Sequence, residues 1–100
     1  MFYATNRLHV PPDKAQDFEE QFTGNMRKYL PGVPGLRRST LLRPAAAGEP
    51  YLSINEFDTE AHFRAWVDSY SFKQAHARNS GMVRNITSSQ VETFESVEVL

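Results

Sequence analysis

The sequence predicts an α+β fold in which two helices cover one face of a single antiparallel sheet, in the ferredoxin-like order β-α-β-β-α-β. Three observations predict it. Alternation of apolar and polar residues marks four strands, at 2–10, 36–43, 51–57 and 90–100. Apolar residues at helical spacing mark one helix from 13 to about 30 and a second from 59 to about 76. Segments rich in proline, glycine and alanine mark a turn at 31–35 and a loop at 44–50.

Composition restricts the partners of this chain. It has 100 residues, no cysteine and a net charge of −1, with 11 basic and 12 acidic side chains interspersed. This balance gives no electrostatic footprint for nucleic acid or for an anionic membrane. The absence of cysteine excludes disulfides, thiolate metal sites and a cysteine nucleophile. No apolar run approaches the length of a membrane span and the first residues lack a signal-peptide pattern, so we expect a soluble cytoplasmic protein.

The first strand carries one polar residue on an otherwise apolar face. Phe2, Ala4, Leu8 and Val10 share this face with Asn6. A carboxamide there must find partners or cost about 1–3 kcal/mol. Two interpretations are open: Asn6 hydrogen-bonds neighbouring backbone, or it faces a cavity and binds a ligand.

The opposite face of the sheet has no predicted helix over it. It carries amphipathic or polar residues, including Tyr3, Arg7 and His9. In a domain this small, an uncovered face predicts a second copy against it, so we expect a homodimer whose sheets pack face to face.

The first helix is expected to begin at a capping box formed by Asp13 and Gln16. Its apolar stripe consists of Ala15, Phe18, Phe22, Met26 and Tyr29. Its solvated face is expected to contain Asp17, Glu19 and Glu20. In the strand that follows, strict alternation would place Leu36 on the same face as Arg38, Thr40 and Leu42.

The second helix is predicted in two pieces, with Asp58 or Thr59 as its cap. One apolar stripe consists of Phe63, Trp66, Val67 and Tyr70, and a second stripe, out of phase with the first, of Phe72, Ala75 and His76. Polar residues at 68–71 favour an irregular joint between them, and Ser71 with Gln74 fits a capping box that restarts the helix. Trp66 and His76 are therefore expected to border one cavity from opposite sides of the break.

Asn6, Trp66 and His76 are the candidate site residues. The sequence matches no P-loop, dinucleotide fingerprint, zinc pattern or Ser-His-Asp arrangement. Each candidate taken alone is more often structural, but the fold brings the first strand against the second helix, so the three can converge. Their chemistry fits haem: an imidazole can ligate the iron, an amide can donate a hydrogen bond beside it, and an indole can wall a flat ring.

Two segments resemble a known family. Ala4-Thr5-Asn6-Arg7-Leu8, together with Phe63-x-x-Trp66-x-x-Ser69-x-x-Phe72-Lys73-x-Ala75-His76, resembles the haem-degrading monooxygenases of the iron-regulated surface determinant type. These belong to the wider antibiotic-biosynthesis monooxygenase superfamily. The specific part of the resemblance is the Asn, Trp and His set. It implies one domain of this kind at 1–100, forming a dimeric α/β barrel with one haem per subunit.

The resemblance also implies roles for individual residues. His76 would be the axial ligand of the haem iron, Asn6 would hydrogen-bond the distal oxygen species, and Trp66 would press on the macrocycle and distort it. Phe22 matches a position that lines the pocket. Haem would be both substrate and cofactor: its iron activates dioxygen, and the porphyrin ring is hydroxylated and opened. Electrons would come from an external reductase, because the chain has no flavin or nicotinamide site.

The chain departs from the family on its first helix. Gln21 and Asn25 stand where some members carry arginines, so the anchoring of the haem propionates differs, and Arg27 is the candidate replacement. Two other functions stay open beside haem degradation. One is a cofactor-free monooxygenase of a quinol or polyketide, which has no evident use for His76. The other is a protein that is not an enzyme, either a haem carrier or sensor or a plain dimerisation module.

Overall fold

The sheet and its two helices are described by the computed structural model over residues 1–70, 72–73 and 88–100. The elements are β1 (Phe2–His9), α1 (Ala15–Tyr29), β2 (Leu36–Leu42), β3 (Tyr51–Phe57), α2 (Glu60–Val67) and β4 (Ser88–Glu95). The strands form one sheet in the order β2-β3-β1-β4, and neighbouring strands are antiparallel. The predicted ferredoxin-like α+β fold is confirmed. Within the described ranges, no helix has the length and apolar character needed to cross a membrane.

The core is divided into two clusters of buried side chains. The Phe18 cluster consists of Leu8, Val10, Phe18, Phe22 and Tyr51, and the Trp66 cluster consists of Phe2, Leu30, Phe57 and Trp66. Phe18 and Phe57 are fully buried, which is worth about 1.5–3 kcal/mol for each side chain. Met26, on α1, packs against both clusters and so connects them.

Both ends of β4 differ from the sequence prediction, and the register with β1 explains where the strand ends. β4 ends at Glu95 because its partner β1 begins at Phe2, opposite Glu95, and the last hydrogen bond runs from the Ser96 N–H to the Met1 carbonyl at 3.0 Å. The predicted extension of this strand to Leu100 is therefore wrong. Val97 and Val99 are 85% and 91% exposed instead. The start of β4 lies at Ser88, two residues before the predicted one.

The two helices begin differently. The predicted Asp13–Gln16 capping box is wrong: residues Pro12–Lys14 form a 3₁₀ turn, the Lys14 N–H bonds the Pro11 carbonyl at 2.9 Å, and α1 starts without a side-chain cap. The prolines preset this tight turn. At α2, the Thr59 hydroxyl accepts a hydrogen bond from the His62 N–H at 3.2 Å, so the predicted Thr59 cap is confirmed.

A bulge at the start of β2 overturns the predicted alternation. Leu36 lies opposite Phe57 and Arg38 lies opposite Glu56, so one extra residue is accommodated between them. As a result Leu36 packs against the Trp66 cluster, whereas Arg38 faces the other side of the sheet, 3.7 Å from the Glu56 carboxylate. Strict alternation placed these two residues on one face and was wrong there.

Gly35 precedes this bulge and cannot be replaced freely. Its φ of +77° lies in the region that favours glycine, and its carbonyl accepts the Asp58 N–H at 2.9 Å. A Cβ at this position would collide with the ring of His62. The imidazole of His62 therefore occupies the space that a side chain at 35 would need.

Candidate functional site

A cavity of about 250 Å³ lies between the middle of the sheet and the two helices. It is lined by Ala4, Thr5, Asn6, Phe22, Met26, Ser53, Asn55, Phe63, Trp66, Val67, Phe72 and Val91. We call it the Asn6 cavity. Three of the four residues predicted for the site, Asn6, Phe22 and Trp66, line this one space. The fourth, His76, lies outside the described residues.

The cavity exists because the central cross-strand pairs of the sheet are small or polar. Ala4 lies opposite Asn55, and Asn6 lies opposite Ser53, all on the face towards the helices. Asn55 is buried and its Oδ1 accepts a hydrogen bond of 2.6 Å from the Ser39 hydroxyl. Ser53 and Asn55 were not among the predicted site residues, although their spacing places them on the same face of β3 as the buried Tyr51 and Phe57.

Asn6 contributes an unsatisfied polar group to the cavity. Its Oδ1 is buried and has no hydrogen-bond partner among the described residues. Of the two interpretations open at the sequence level, the bond to neighbouring backbone is thus not made by this oxygen. A buried acceptor without a partner costs about 1–3 kcal/mol of stability. The fold carries this cost at a position that faces the cavity.

Trp66 is both a core residue and a wall of the cavity. Its side chain is only 5% exposed and belongs to the Trp66 cluster. Its ring centroid lies 5.6 Å from that of Phe57 and 4.8 Å from that of Phe72, the second contact being edge-to-face. Aromatic contacts at these distances fix the orientation of an indole, so the wall that it presents to the cavity is rigid.

The predicted break after α2 is confirmed, but its details differ. The Ser69 hydroxyl donates to the Trp66 carbonyl at 2.5 Å and accepts the Phe72 N–H at 3.1 Å, so Ser69 caps the helical residues that follow. The predicted cap, Ser71 with Gln74, lies outside the described residues. Tyr70 was expected inside but is 76% exposed. The joint turns Phe72 inward instead, onto Trp66.

A larger groove of about 570 Å³ runs beside the Asn6 cavity, between the second half of α1 and β2. It is lined by Phe22, Thr23, Met26, Arg27, residues 30–33 and residues 36–41. We call it the β2 groove. Phe22 and Met26 line both spaces. Of the α1 residues named for propionate anchoring, Gln21 and Arg27 are exposed and Asn25 is half-buried.

Glu19 was expected on a solvated helix face, and that expectation is wrong. Both of its oxygens accept hydrogen bonds of 2.7 Å from the Arg43 guanidinium, and the Tyr51 hydroxyl donates a third bond of 2.5 Å. The bonds from Arg43, followed by that from Tyr51, lower the pKa of Glu19 to about 2. Burial, followed by the bond to Glu19, raises the pKa of Tyr51 to about 12. This network ties α1 to the β2–β3 hairpin at the far end of the sheet from Trp66.

The described part of the chain holds no group of three or more His, Cys, Asp or Glu side chains that could bind a metal ion. The Asn6 cavity, with its aromatic walls and one unpaired carboxamide, is suited to an aromatic ligand. The sequence model described as antibiotic biosynthesis monooxygenase matches residues 1–78. The chain belongs to this family. Members of the antibiotic biosynthesis monooxygenases are oxygenases, and this is the reaction class that membership supports.

Solved structures of several other proteins share the fold. The haem degrader MhuD from Mycobacterium tuberculosis, with two haems in its active site, has a TM-score of 0.78 at 22% identity, with 100% of this chain and 99% of that chain covered. A variant of SnoaB, a cofactor-independent oxygenase from Streptomyces nogalater, has a TM-score of 0.77 at 22% identity, with 99% and 95% covered. A Caulobacter crescentus protein has a TM-score of 0.78 at 21% identity, with 97% and 90% covered.

Identities this low establish the fold alone, because MhuD and SnoaB share it while one degrades haem and the other needs no cofactor. No protein of curated function matches the sequence.

Proposed function

We propose that this chain is a haem-degrading monooxygenase, which binds haem, opens its porphyrin ring oxidatively and releases the iron. The observation that carries the proposal is the buried Asn6 oxygen, which has no partner among the described residues and lies in a cavity walled by Trp66. A polar atom kept in this state at a cost is accounted for if the bound ligand completes its surroundings.

The residues present fit a haem in kind. Phe22 and Trp66 supply the apolar aromatic walls that a flat macrocycle needs, and Asn6 supplies one polar group on the sheet side. The Asn6 cavity alone, at about 250 Å³, is below the ~300–1,000 Å³ typical of sites for drug-sized ligands. The β2 groove adjoins it at Phe22 and Met26 and provides the remaining space.

Bound haem supplies the iron at which dioxygen is activated, and an external reductase supplies the electrons. The protein binds and orients the ring and positions polar groups. Rotation of the Asn6 carboxamide would turn its NH2 group, in place of the unpaired Oδ1, towards the ligand, where it would donate a hydrogen bond on the distal side. Trp66 would press on the ring. His76 is proposed as the axial iron ligand on the strength of the sequence resemblance. These three residues, with Phe22 along the wall, make up the proposed site.

We also propose that the enzyme acts as a homodimer in the cytoplasm. The apolar side chains on the sheet face away from the helices include Leu42 and Phe94, which are 46% and 47% exposed. This face also carries the Arg7–Glu92 ion pair, at 2.8 Å. A second copy against this face would bury the two apolar side chains.

A cofactor-free monooxygenase of a quinol or polyketide is the second candidate. The observation that favours it is the volume of the Asn6 cavity, which suits a ligand smaller than haem without any rearrangement of Phe22 or Met26. In that case Asn6 would hydrogen-bond an oxygen of the substrate.

Titration with haemin separates the candidates. The proposal predicts a Soret band that saturates at one haemin per chain, then decays with ascorbate in air while free iron appears in a ferrous-iron chelator assay. A saturable band that is stable under these conditions would indicate a carrier. No saturable band, together with oxygen-dependent loss of an added quinol, would indicate the cofactor-free enzyme.

A further inference from the structure

Only two side chains of α1, Phe22 and Met26, are shared between the linings of the Asn6 cavity and the β2 groove. Phe22 is buried in the Phe18 cluster. Met26 is half-buried and packs against both clusters without belonging to the buried set of either. A methionine has three rotatable bonds and adapts to irregular space. Of the two side chains that lie between the cavity and the groove, Met26 is therefore the one that can move without disturbing a buried cluster.

The β2 groove combines an apolar interior with a cationic rim. Leu30, Leu36 and Leu41 contribute apolar surface on the far side of Met26. Three arginines also contribute atoms to its lining, Arg27, Arg37 and Arg38, although the side chain of Arg38 points to the opposite face of the sheet. A space of this kind suits a ligand that is largely apolar and carries a negative charge at one end.

The three arginines differ in the partners they already have. Arg37 makes a two-pronged ion pair with Asp58, at 2.6 and 2.5 Å. Arg38 faces Glu56 at 3.7 Å. Arg27 has no carboxylate within ion-pair distance among the described residues, and it is exposed at the mouth of the groove. Arg27 is thus the cation that remains available to a ligand.

We propose that the substrate occupies the Asn6 cavity and the β2 groove together, with Met26 displaced and an acidic arm of the substrate paired with Arg27. This rests on the proposed function, and it specifies where the propionate edge of a haem lies. The macrocycle extends from Trp66 past Met26, and a propionate reaches the open mouth of the groove. A guanidinium there binds a carboxylate through charge-assisted hydrogen bonds.

The experiment compares haemin with its dimethyl ester, in which the propionates carry no charge. Soret titrations are run on the native protein and on Arg27→Glu, with Lys28→Glu as the matched control. Lys28 lies next to Arg27 on α1 and undergoes the same change of charge, but it stacks over the Tyr29 ring and does not line the groove. Far-UV circular dichroism checks that each variant is folded.

Arg27→Glu is expected to raise the Kd for haemin about tenfold or more, because an attraction is replaced by a repulsion. Lys28→Glu should change this Kd less than about twofold, since an exposed charge away from the ligand is screened. For the dimethyl ester the native and Arg27→Glu proteins should have the same Kd. Equal weakening by both substitutions, or no weakening by either, overturns the assignment of Arg27 while leaving haem binding intact.

A second variant tests the groove itself. Thr23 lines the β2 groove but not the Asn6 cavity, and it is half-buried, so Thr23→Trp fills the groove while every residue that lines the cavity keeps its identity. It should weaken haemin at least about tenfold. Native binding by Thr23→Trp would mean that the ligand does not enter the groove. Failure of the native protein to bind haemin would overturn this inference together with the proposed function.

Discussion

Two neighbouring regions of the inner sheet face use the same strands in the same register, yet the region around Phe18, here called the filled half, is packed, and the region around Asn6, here called the open half, is not. In the Phe18 half, the cross-strand pair of Leu8 and Tyr51 packs against Phe18, which is completely buried. In the neighbouring half, the pair of Asn6 and Ser53 leaves the Asn6 cavity. The backbone is alike in both. Side-chain size and polarity at two consecutive inward positions therefore decide where this fold is solid and where it can hold a ligand.

The two halves also differ in how far the hydrogen-bonding capacity of their polar groups is satisfied. At the Phe18 end, the Glu19 carboxylate has three hydrogen bonds, from Arg43 and Tyr51. At the open end, the Asn6 oxygen has none within the described ranges. A fully satisfied network stabilises the fold, whereas an unsatisfied group in a cavity reduces stability unless a ligand is bound. We therefore expect the first region to determine stability and the second to determine activity.

The largest expected effect is the loss of haemin binding. On the proposed function, His76→Ala should abolish the saturable Soret band and all turnover, because the iron would keep no protein ligand. Haemin titration and ascorbate-driven decay measure both. His9→Ala, at an exposed position at the end of β1, is the control and should bind haemin as the native protein does. Normal binding and turnover in His76→Ala would remove the axial-ligand role.

Phe18→Ala tests how much the packing of the filled half contributes to stability. It removes a fully buried ring and should lower the free energy of unfolding by about 3–5 kcal/mol. Urea unfolding followed by circular dichroism measures this. Tyr70→Ala, at a side chain that is 76% exposed, should stay within about 0.5 kcal/mol of the native value. Similar losses for the two variants would mean that the Phe18 ring contributes no more to stability than an exposed ring does.

Asn6→Ala tests the open half. It should bind haemin with a native ferric spectrum, while turnover falls about 10²–10³-fold, or 2.7–4 kcal/mol, because a hydrogen-bond donor is lost where charge develops. Stability should hardly change, since the deleted oxygen has no partner within the described residues. Asn55→Ala provides the contrast: its oxygen is bonded to Ser39, and its removal should cost about 1–3 kcal/mol of stability. An Asn6→Ala protein that melts early but degrades haem at the native rate would make Asn6 structural.

Asn6→Leu should make the open half resemble the filled half, because an apolar side chain would occupy the cavity. A leucine opposite Ser53 occupies the cavity and removes the unpaired oxygen, so stability should rise by about 0.5–2 kcal/mol. Haemin binding should be lost at the same time. Thermal melting and a Soret titration on one preparation check both outcomes. A less stable Asn6→Leu variant would mean that the space is not available to an apolar side chain.

The smallest effect concerns pH and the Glu19 network. Because the folded pKa of Glu19 is about 2 and its ordinary value is 4.5, its contribution to stability is present above pH 4.5 and is lost as the pH falls towards 2. In Glu19→Gln, the fall in unfolding free energy across this window should be shallower than in the native protein. Urea titrations at several pH values give the two slopes. Identical slopes would show that the network does not hold this carboxylate in its charged form.

Much of the fold could be predicted because it depends on local pattern. Alternation located β1 and β3 closely, and the chemistry of Thr59 located the start of α2. Asn6 could be predicted in the same way, since one amide among apolar neighbours is evident from the alternation of β1 alone. It also predicted that Trp66 lies where a strand and a helix meet.

What could not be predicted depends on distant partners. The end of β4 is set by the first residue of β1, and the bulge after Gly35 is set by the pairing of β2 with β3. The role of Glu19 requires Arg43, which is 24 positions away in the sequence and is brought close only when the hairpin folds against α1. The Ser69 cap was not predicted, because the sequence offers a second serine two residues later with a glutamine at capping-box spacing; that predicted cap lies outside the described residues.

Gly35 and His62 illustrate how this fold restricts its own sequence variation. The imidazole fills the volume that any side chain at 35 would occupy, and the backbone at 35 already has a positive φ. The two positions are therefore not independent: bulk at one requires its absence at the other, and the conformation adds a second penalty at 35. The turn that leads into the sheet and the helix that carries Trp66 thus share a single steric constraint, which ties the geometry of the cavity wall to a residue far from the ligand.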